Sequence, residues 1–260
     1  MKKQFFIFLS VLAGMLAIMS PAAAQNGATE CGNGTVTVAF TASGNLTDFT
    51  CLTVPTAERA PDGQPLTAAK LESAAVVFNQ LRTANPISPE LTVFPVSGLS
   101  AVNSEIYQKA VDLTALINSV TTNGIAAITG DVPVLPLQEK PQLMSALPTV
   151  LTPQGINGLR FLTAFDDASA GVTNNNIVYA FQGLSVDGRN IVSVLFPIQH
   201  SALTAPATAP REYNWAALPE DGWTPRLSDL DEIIKRSSST APRFTRSTAA
   251  RWRTRTEGIC

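Results

Sequence analysis

Few side chains in this sequence have the chemistry of a nucleophile or a base. His200 is the sole histidine and Ser201 follows it, so an imidazole stands beside a hydroxyl, with Asp166 or Asp167 as a carboxylate to orient the ring. That set would make a hydrolase. Neighbours in sequence rarely reach nucleophile-to-base geometry, however, and no G-x-S-x-G elbow is present. The expectation is therefore a surface histidine at a strand end, and no catalytic residue is assigned. Asp166-Asp167 would serve glycoside hydrolysis or a metal only if both carboxylates faced one space. Adjacent residues on a strand point to opposite faces, so a solvated turn is expected instead. Arg160 and Gln182 each interrupt an apolar run. They either line a small cleft or are satisfied by hydrogen bonds within the sheet, and the second is expected. No G-x-G-x-x-G, Walker loop or zincin helix occurs, and no cofactor is expected. Three cysteines and one histidine lack the paired spacings of a zinc site.

The cysteines gain meaning from the N-terminus. Lys2 and Lys3 precede an apolar stretch from Phe5 to Met19, then Ser20, Pro21 and Ala22-Ala23-Ala24. This is the order of a secretory signal peptide, with cleavage expected between Ala24 and Gln25. No later apolar run reaches the roughly 18 residues of a membrane span, so the processed chain is expected to be secreted or periplasmic without a transmembrane segment. Disulfides persist in that compartment. Cys31 and Cys51 lie close in sequence between strand-like flanks and are the natural pair, leaving Cys260 over.

At 45% hydrophobic and 15% charged, the 260-residue chain is too apolar for a wholly disordered protein and has material for one domain over 25–234. The net charge of −2 conceals two opposed regions. Residues 25–234 carry 9 basic and 19 acidic side chains, whereas 235–260 carry 7 basic and one acidic. The acidic body argues against nucleic acid as a partner. The tail from Lys235, rich in Ser, Thr, Ala and Arg, reads as disordered. It is either a basic arm for an anionic envelope surface or a stretch translated in a shifted frame. Its abrupt change of composition favours the latter.

These residues need positioning elements. Thr35–Thr41 alternates with period two and predicts a strand, with Phe49–Val54 as a candidate neighbour. Pro55–Pro65 is turn-rich. Leu66–Arg82 has helical composition, although its AAVVF could be a buried strand. Leu91–Val96 predicts a short strand. Ile106, Ala110, Leu113, Ile117 and Val120 form a helical stripe, with Asn103 or Ser104 as cap and Asn123-Gly124 as stop. Prolines at 133, 136, 141, 148 and 153 favour extended segments and turns. Leu227–Ile234 predicts a final helix.

The strongest local signal is Ile177–Ile198. Asp187-Gly188 suits a two-residue type I′ turn, with positive φ at both positions. Tyr179 then faces Phe196, Phe181 faces Val194 and Gly183 faces Val192. The opposite face pairs Ala180 with Leu195, Gln182 with Ser193 and Leu184 with Ile191. Both faces are mainly apolar, so neither can be left open to water. Gly158–Ala164 is a candidate adjacent strand. The expected fold is α+β, a mainly antiparallel sheet with helices covering its faces.

The motif order VFPV, a helix, Leu135-Pro136-Leu137, GLRFLTAF (Gly158–Phe165), NNNIVYAFQGLSVDG (Asn174–Gly188) and VLFPI (Val194–Ile198) resembles a family of exported bacterial proteins of unknown function. The resemblance runs from about Thr35 to Ile234 and departs at the tail. It implies an envelope or extracellular location and partner, and supplies no catalytic residues. Residues and resemblance together lead to an exported domain that binds or supports something at the cell surface. The alternative is a hydrolase built on His200.

Overall fold

The computed structural model describes residues 29–32, 36–40, 47–54, 72–102 and 104–240. The stretch expected to be an export signal, the turn-rich stretch from Pro55, the helix-cap candidate Asn103, and residues 241–260 with Cys260 lie outside them. The fold is α+β and dominated by a seven-stranded antiparallel sheet.

The strands are β1 (Thr29–Gly32), β2 (Thr37–Phe40), β3 (Phe49–Val54), β4 (Ser73–Phe78), β5 (Glu90–Pro95), β6 (Gln142–Leu151), β7 (Ile156–Phe165), β8 (Ile177–Ser185), β9 (Asn190–Pro197), β10 (Gln199–His200), β11 (Trp223–Thr224) and β12 (Ser237–Thr240). The helices are α1 (Leu99–Val102), α2 (Ser104–Asn123) and α3 (Leu227–Lys235). The large sheet has the order β3-β4-β5-β9-β8-β7-β6. It is two meanders, β3-β4-β5 and β6-β7-β8-β9, joined edge to edge where β5 pairs with β9. Every neighbour is antiparallel, so β5 and β6 run the same way at a distance of four strands. Such a connection must cross the sheet, and α1 and α2 lie in it.

The pairing of β8 with β9 is the expected one, with Tyr179 opposite Phe196 and Gln182 opposite Ser193. Every β8 residue is buried. The turn differs from the expected type I′. Gly188 has φ +70°, but Asp187 does not have positive φ, and Gly188 N–H donates to the Ser185 carbonyl at 2.8 Å. The loop is thus four residues built around Val186-Asp187. Ser185 fixes it, its hydroxyl donating to the Asp187 carboxylate at 2.6 Å and accepting from the Asn190 N–H at 2.9 Å. Two- and four-residue loops share one centre, so the register is unchanged.

Each face of the hairpin belongs to its own buried cluster. Val178, Ala180, Leu184, Ile191 and Leu195 join Ile106, Ala110, Leu113, Ile117 and Val120 of α2, together with Val132, Val134 and Leu135. Ile177, Tyr179, Phe181, Val192, Val194 and Phe196 join Trp215, Trp223 and the α3 residues Leu227, Leu230 and Ile234, and also Val38 and Phe40 of β2. The small sheet β1-β2-β12 is tied to the large one by the Cys31–Cys51 disulfide, which joins β1 to β3. Ring contacts running from Phe40 to Phe78, Phe196 and Tyr179 continue the connection.

Three further expectations need correction. Phe49–Val54 does not neighbour the first predicted strand; it pairs with Ser73–Phe78, which is the buried strand of the ambiguous segment rather than a helix. The boundary at Lys235 is too early, because Ser237–Thr240 pairs with β2. Its residues are short and hydroxylated, which reads as a tail until a partner strand is known. His200 is buried, with 1% of its surface exposed.

The glycines of GLRF and FQGL have a packing reason. Gly158 and Gly183 face each other across β7 and β8, and the Phe181 ring lies over both. A Cβ on Gly158 would come 2.5 Å from Phe181 Cζ, and one on Gly183 would come 2.8 Å from Cε1. The ring has no space to retreat in a filled core. Gly158→Ala and Gly183→Ala should each cost about 1–3 kcal/mol in urea denaturation. Gly130→Ala, where a Cβ meets nothing within 4 Å, should change stability by less than about 0.5 kcal/mol. Equal midpoints for all three would contradict this packing.

Candidate functional site

Two concavities meet at Pro141-Gln142, where the chain enters β6 at the edge of the large sheet. The first, of about 250 Å³, is bounded by Glu105 and Lys109 of α2, by Gln138, Glu139 and Lys140 of the loop before β6, and by Phe165. The second, of about 300 Å³, lies between Pro141-Gln142-Leu143 and the Pro210-Arg211-Glu212 turn.

The helical wall follows from the α2 stripe. With Ile106, Ala110 and Leu113 buried, Glu105 and Lys109 stack one turn apart on one flank. On the solvent side of the helix, Gln108 donates to Asp112 at 2.8 Å.

The loop wall is held from the core by Gln182. This buried side chain reads the backbone of Leu135 in both directions, its Oε1 accepting from the Leu135 N–H and its Nε2 donating to the Leu135 carbonyl, each at 3.2 Å. Nε2 also donates to Ser193 Oγ at 2.8 Å. Leu135 precedes Pro136 through a cis peptide bond, and from there the chain runs to Gln138, Glu139 and Lys140. At the far end of the loop, Gln142 Nε2 lies 3.0 Å from Ser145 Oγ and 3.1 Å from Thr163 Oγ1. Lys140 donates to Asp167 at 2.8 Å. That hydrogen bond, reinforced by the carboxylate charge, raises the Lys140 ammonium above the ordinary lysine range. The amide of Asn176 donates to Asp166 and holds its carboxyl below the usual range.

The candidates taken from sequence are dispersed. His200 accepts the Ala202 N–H at Nδ1 (3.0 Å), which leaves Nε2 to donate to the Pro219 carbonyl at 3.0 Å. Its ring packs edge-on to Trp223 at 4.5 Å. Both ring nitrogens are thus engaged by backbone. The Asp166 carboxylate accepts from the Asn176 amide and from the Asp167 N–H, while the Asp167 carboxylate accepts from Lys140, so the two carboxylates do not share one space. Arg160 makes a two-pronged pair with Asp231 of α3, at 3.0 and 3.1 Å, and donates to the Leu147 carbonyl at 3.2 Å. Tyr179 donates to the same Asp231 at 2.8 Å. Burial, and then the Asp231 charge, push the Tyr179 phenol well above its usual range, so it stays neutral. Arg160 and Gln182 therefore hold elements together and line neither concavity.

Among the described residues, no group of three or more His, Cys, Asp or Glu side chains is arranged to hold a metal ion. No helix among them is long and apolar enough to cross a membrane. The residues that do gather, Glu105, Lys109, Glu139 and Lys140, carry no sequence motif. They converge only through a crossover helix and a proline-rich loop. Comparison of the chain with protein-family models, curated proteins and solved structures finds no match.

If Gln182 holds the loop wall, Gln182→Leu should cost about 1–3 kcal/mol, because the Leu135 backbone groups lose their partner in the interior. It should also shift the amide resonances of residues 137–140. Loss of stability without any change at those amides would contradict the positioning role.

Proposed function

We propose that this is an exported cell-envelope or secreted domain that binds a ligand without transforming it, and that the ligand lies in the cleft between α2 and the Gln138–Lys140 loop. The layered arrangement behind this reading has helices as covers of the sheet: α2 on one face, where it carries one cleft wall, and α3 on the other. The observation that carries the proposal is the contrast between two polar assemblies. The cleft collects glutamate, lysine and glutamine side chains around an open space of about 250 Å³. The chain's one imidazole is buried, with both nitrogens committed to backbone. A general base needs a nitrogen within reach of the proton it removes. A concave space with convergent polar groups beside apolar ones such as Leu137 and Phe165 is the arrangement of a binding site. The Cys31–Cys51 bridge supports an oxidising compartment.

The test is a nuclear magnetic resonance screen of polar small molecules against the purified oxidised protein, run beside assays with generic ester, glycoside and peptide substrates. The expected result is that amide shifts cluster at Ser104–Lys109 and 137–142, with no turnover above buffer. Turnover abolished by His200→Gln in a protein that remains folded would overturn the proposal in favour of a hydrolase. Shifts clustering away from the cleft would overturn its location.

A further inference from the structure

Lys109 is half-buried on the cleft wall. Other described basic side chains nearby are matched: Lys140 with Asp167, Arg160 with Asp231 and Arg211 with Asp131. Lys109 has neither an ion pair nor a hydrogen bond among the described residues. The same cleft is lined from its loop by Glu139, which also makes no ion pair or hydrogen bond among the described residues. Its charge acts only through space on Lys140, which is already bonded to Asp167. Lys109 and Glu139 line one space and yet do not approach within the 4.0 Å of an ion pair. One is fixed on a helix whose stripe is buried. The other is fixed on a loop clamped by Gln182 and Lys140. The apolar side chains of Leu137 and Phe165 line the same space.

An unmatched cation on a helix and an unmatched anion on a loop, lining one cleft without forming an ion pair, are complementary to a molecule that carries both charges. A ligand with one charge would satisfy one wall and bring its partner charge in the cleft no compensation. Resting on the reading of the cleft as the binding site, we propose that it takes a small zwitterion. The ligand's carboxylate would meet Lys109, its ammonium would meet Glu139, and an aliphatic portion would lie over Leu137 and Phe165. The volume of about 250 Å³ falls just under the roughly 300 Å³ at which pockets for drug-sized ligands begin. That limits the occupant to a free amino acid or a dipeptide.

The experiment titrates the protein with L-leucine and with L-leucyl-L-alanine, followed by amide shifts and calorimetry. The controls are 4-methylpentanoate, which is leucine without its ammonium, and 3-methylbutylamine, which is leucine without its carboxylate. At least one zwitterion should bind about tenfold or more tighter than either control, with shifts at Lys109 and Glu139. Binding by leucine or by the dipeptide alone would support the proposal and identify the source. Lys109→Met and Glu139→Gln should each lower that affinity about tenfold, whereas Lys109→Arg, which keeps the charge, should retain it. Unchanged thermal midpoints would show that these exposed or half-buried substitutions leave the fold intact. A control that binds the cleft as tightly as leucine would overturn the zwitterion and leave the cleft as a binding site. Shifts in the broad polar screen with no binding of either zwitterion would do the same. Silence of the cleft in both experiments would overturn the two readings together.

Discussion

Two strands that are apolar above and below can be stable only between two layers, and β8 with β9 imposes that condition on the rest of this chain. Their inward residues divide between two clusters, one containing the α2 stripe and the other containing α3 and the small sheet. Tyr179, Phe181 and Phe196 are fully buried on one side, as are Ala180, Val178 and Ile191 on the other. Losing either layer would expose several large apolar side chains, each worth about 1.5–3 kcal/mol when buried. The connection from β5 to β6 has to cross the sheet, and α1 and α2 lie in that connection.

The polar side chains within this apolar pair connect it to its layers. Gln182 faces the α2 side and hydrogen-bonds the Leu135 backbone there, while Tyr179 faces the other side and donates to Asp231 of α3. Arg160 on the adjacent strand completes the Asp231 cluster with about an eighth of its side chain exposed. A buried pair of this kind contributes little net stability, because desolvation offsets its attraction, but it penalises any packing that separates the partners. The same logic reaches the cleft. Its helical wall is set by the apolar stripe of α2, and its loop wall by a glutamine in the sheet. The elements that carry Lys109 and Glu139 are therefore positioned by residues in the interior.

Much of the scaffold was legible in the sequence because it is written in local periodicity. The α2 residues from Ile106 to Val120 recur at helical spacing and are the buried ones. The β8–β9 register is the one that the hairpin pattern predicts although the turn is not type I′, since loops of two and of four residues share one centre. Long-range pairing was less legible. Nothing in Phe49–Val54 says that its partner lies beyond Pro55–Pro65, and nothing in the hydroxyl-rich Ser237–Thr240 says that a strand near the other end of the chain receives it. The cleft was not legible. Lys109 reads as the polar flank of a helix, Glu139 as a loop charge, and their meeting depends on a crossover 30 residues apart in sequence. His200 reads as superficial in the sequence because Pro219 and Trp223, which enclose it, are distant along the chain.

Native-state hydrogen exchange across the described residues tests the central claim most directly, because it reads the opening free energy strand by strand. If the two-sided pair is the constraint on which the layers depend, the amides of Tyr179–Gly183 and Val192–Phe196 exchange only through global unfolding. Their free energies should then equal that from denaturant titration. Exchange of those amides through partial opening, well below the global value and while α2 stays protected, would contradict the account.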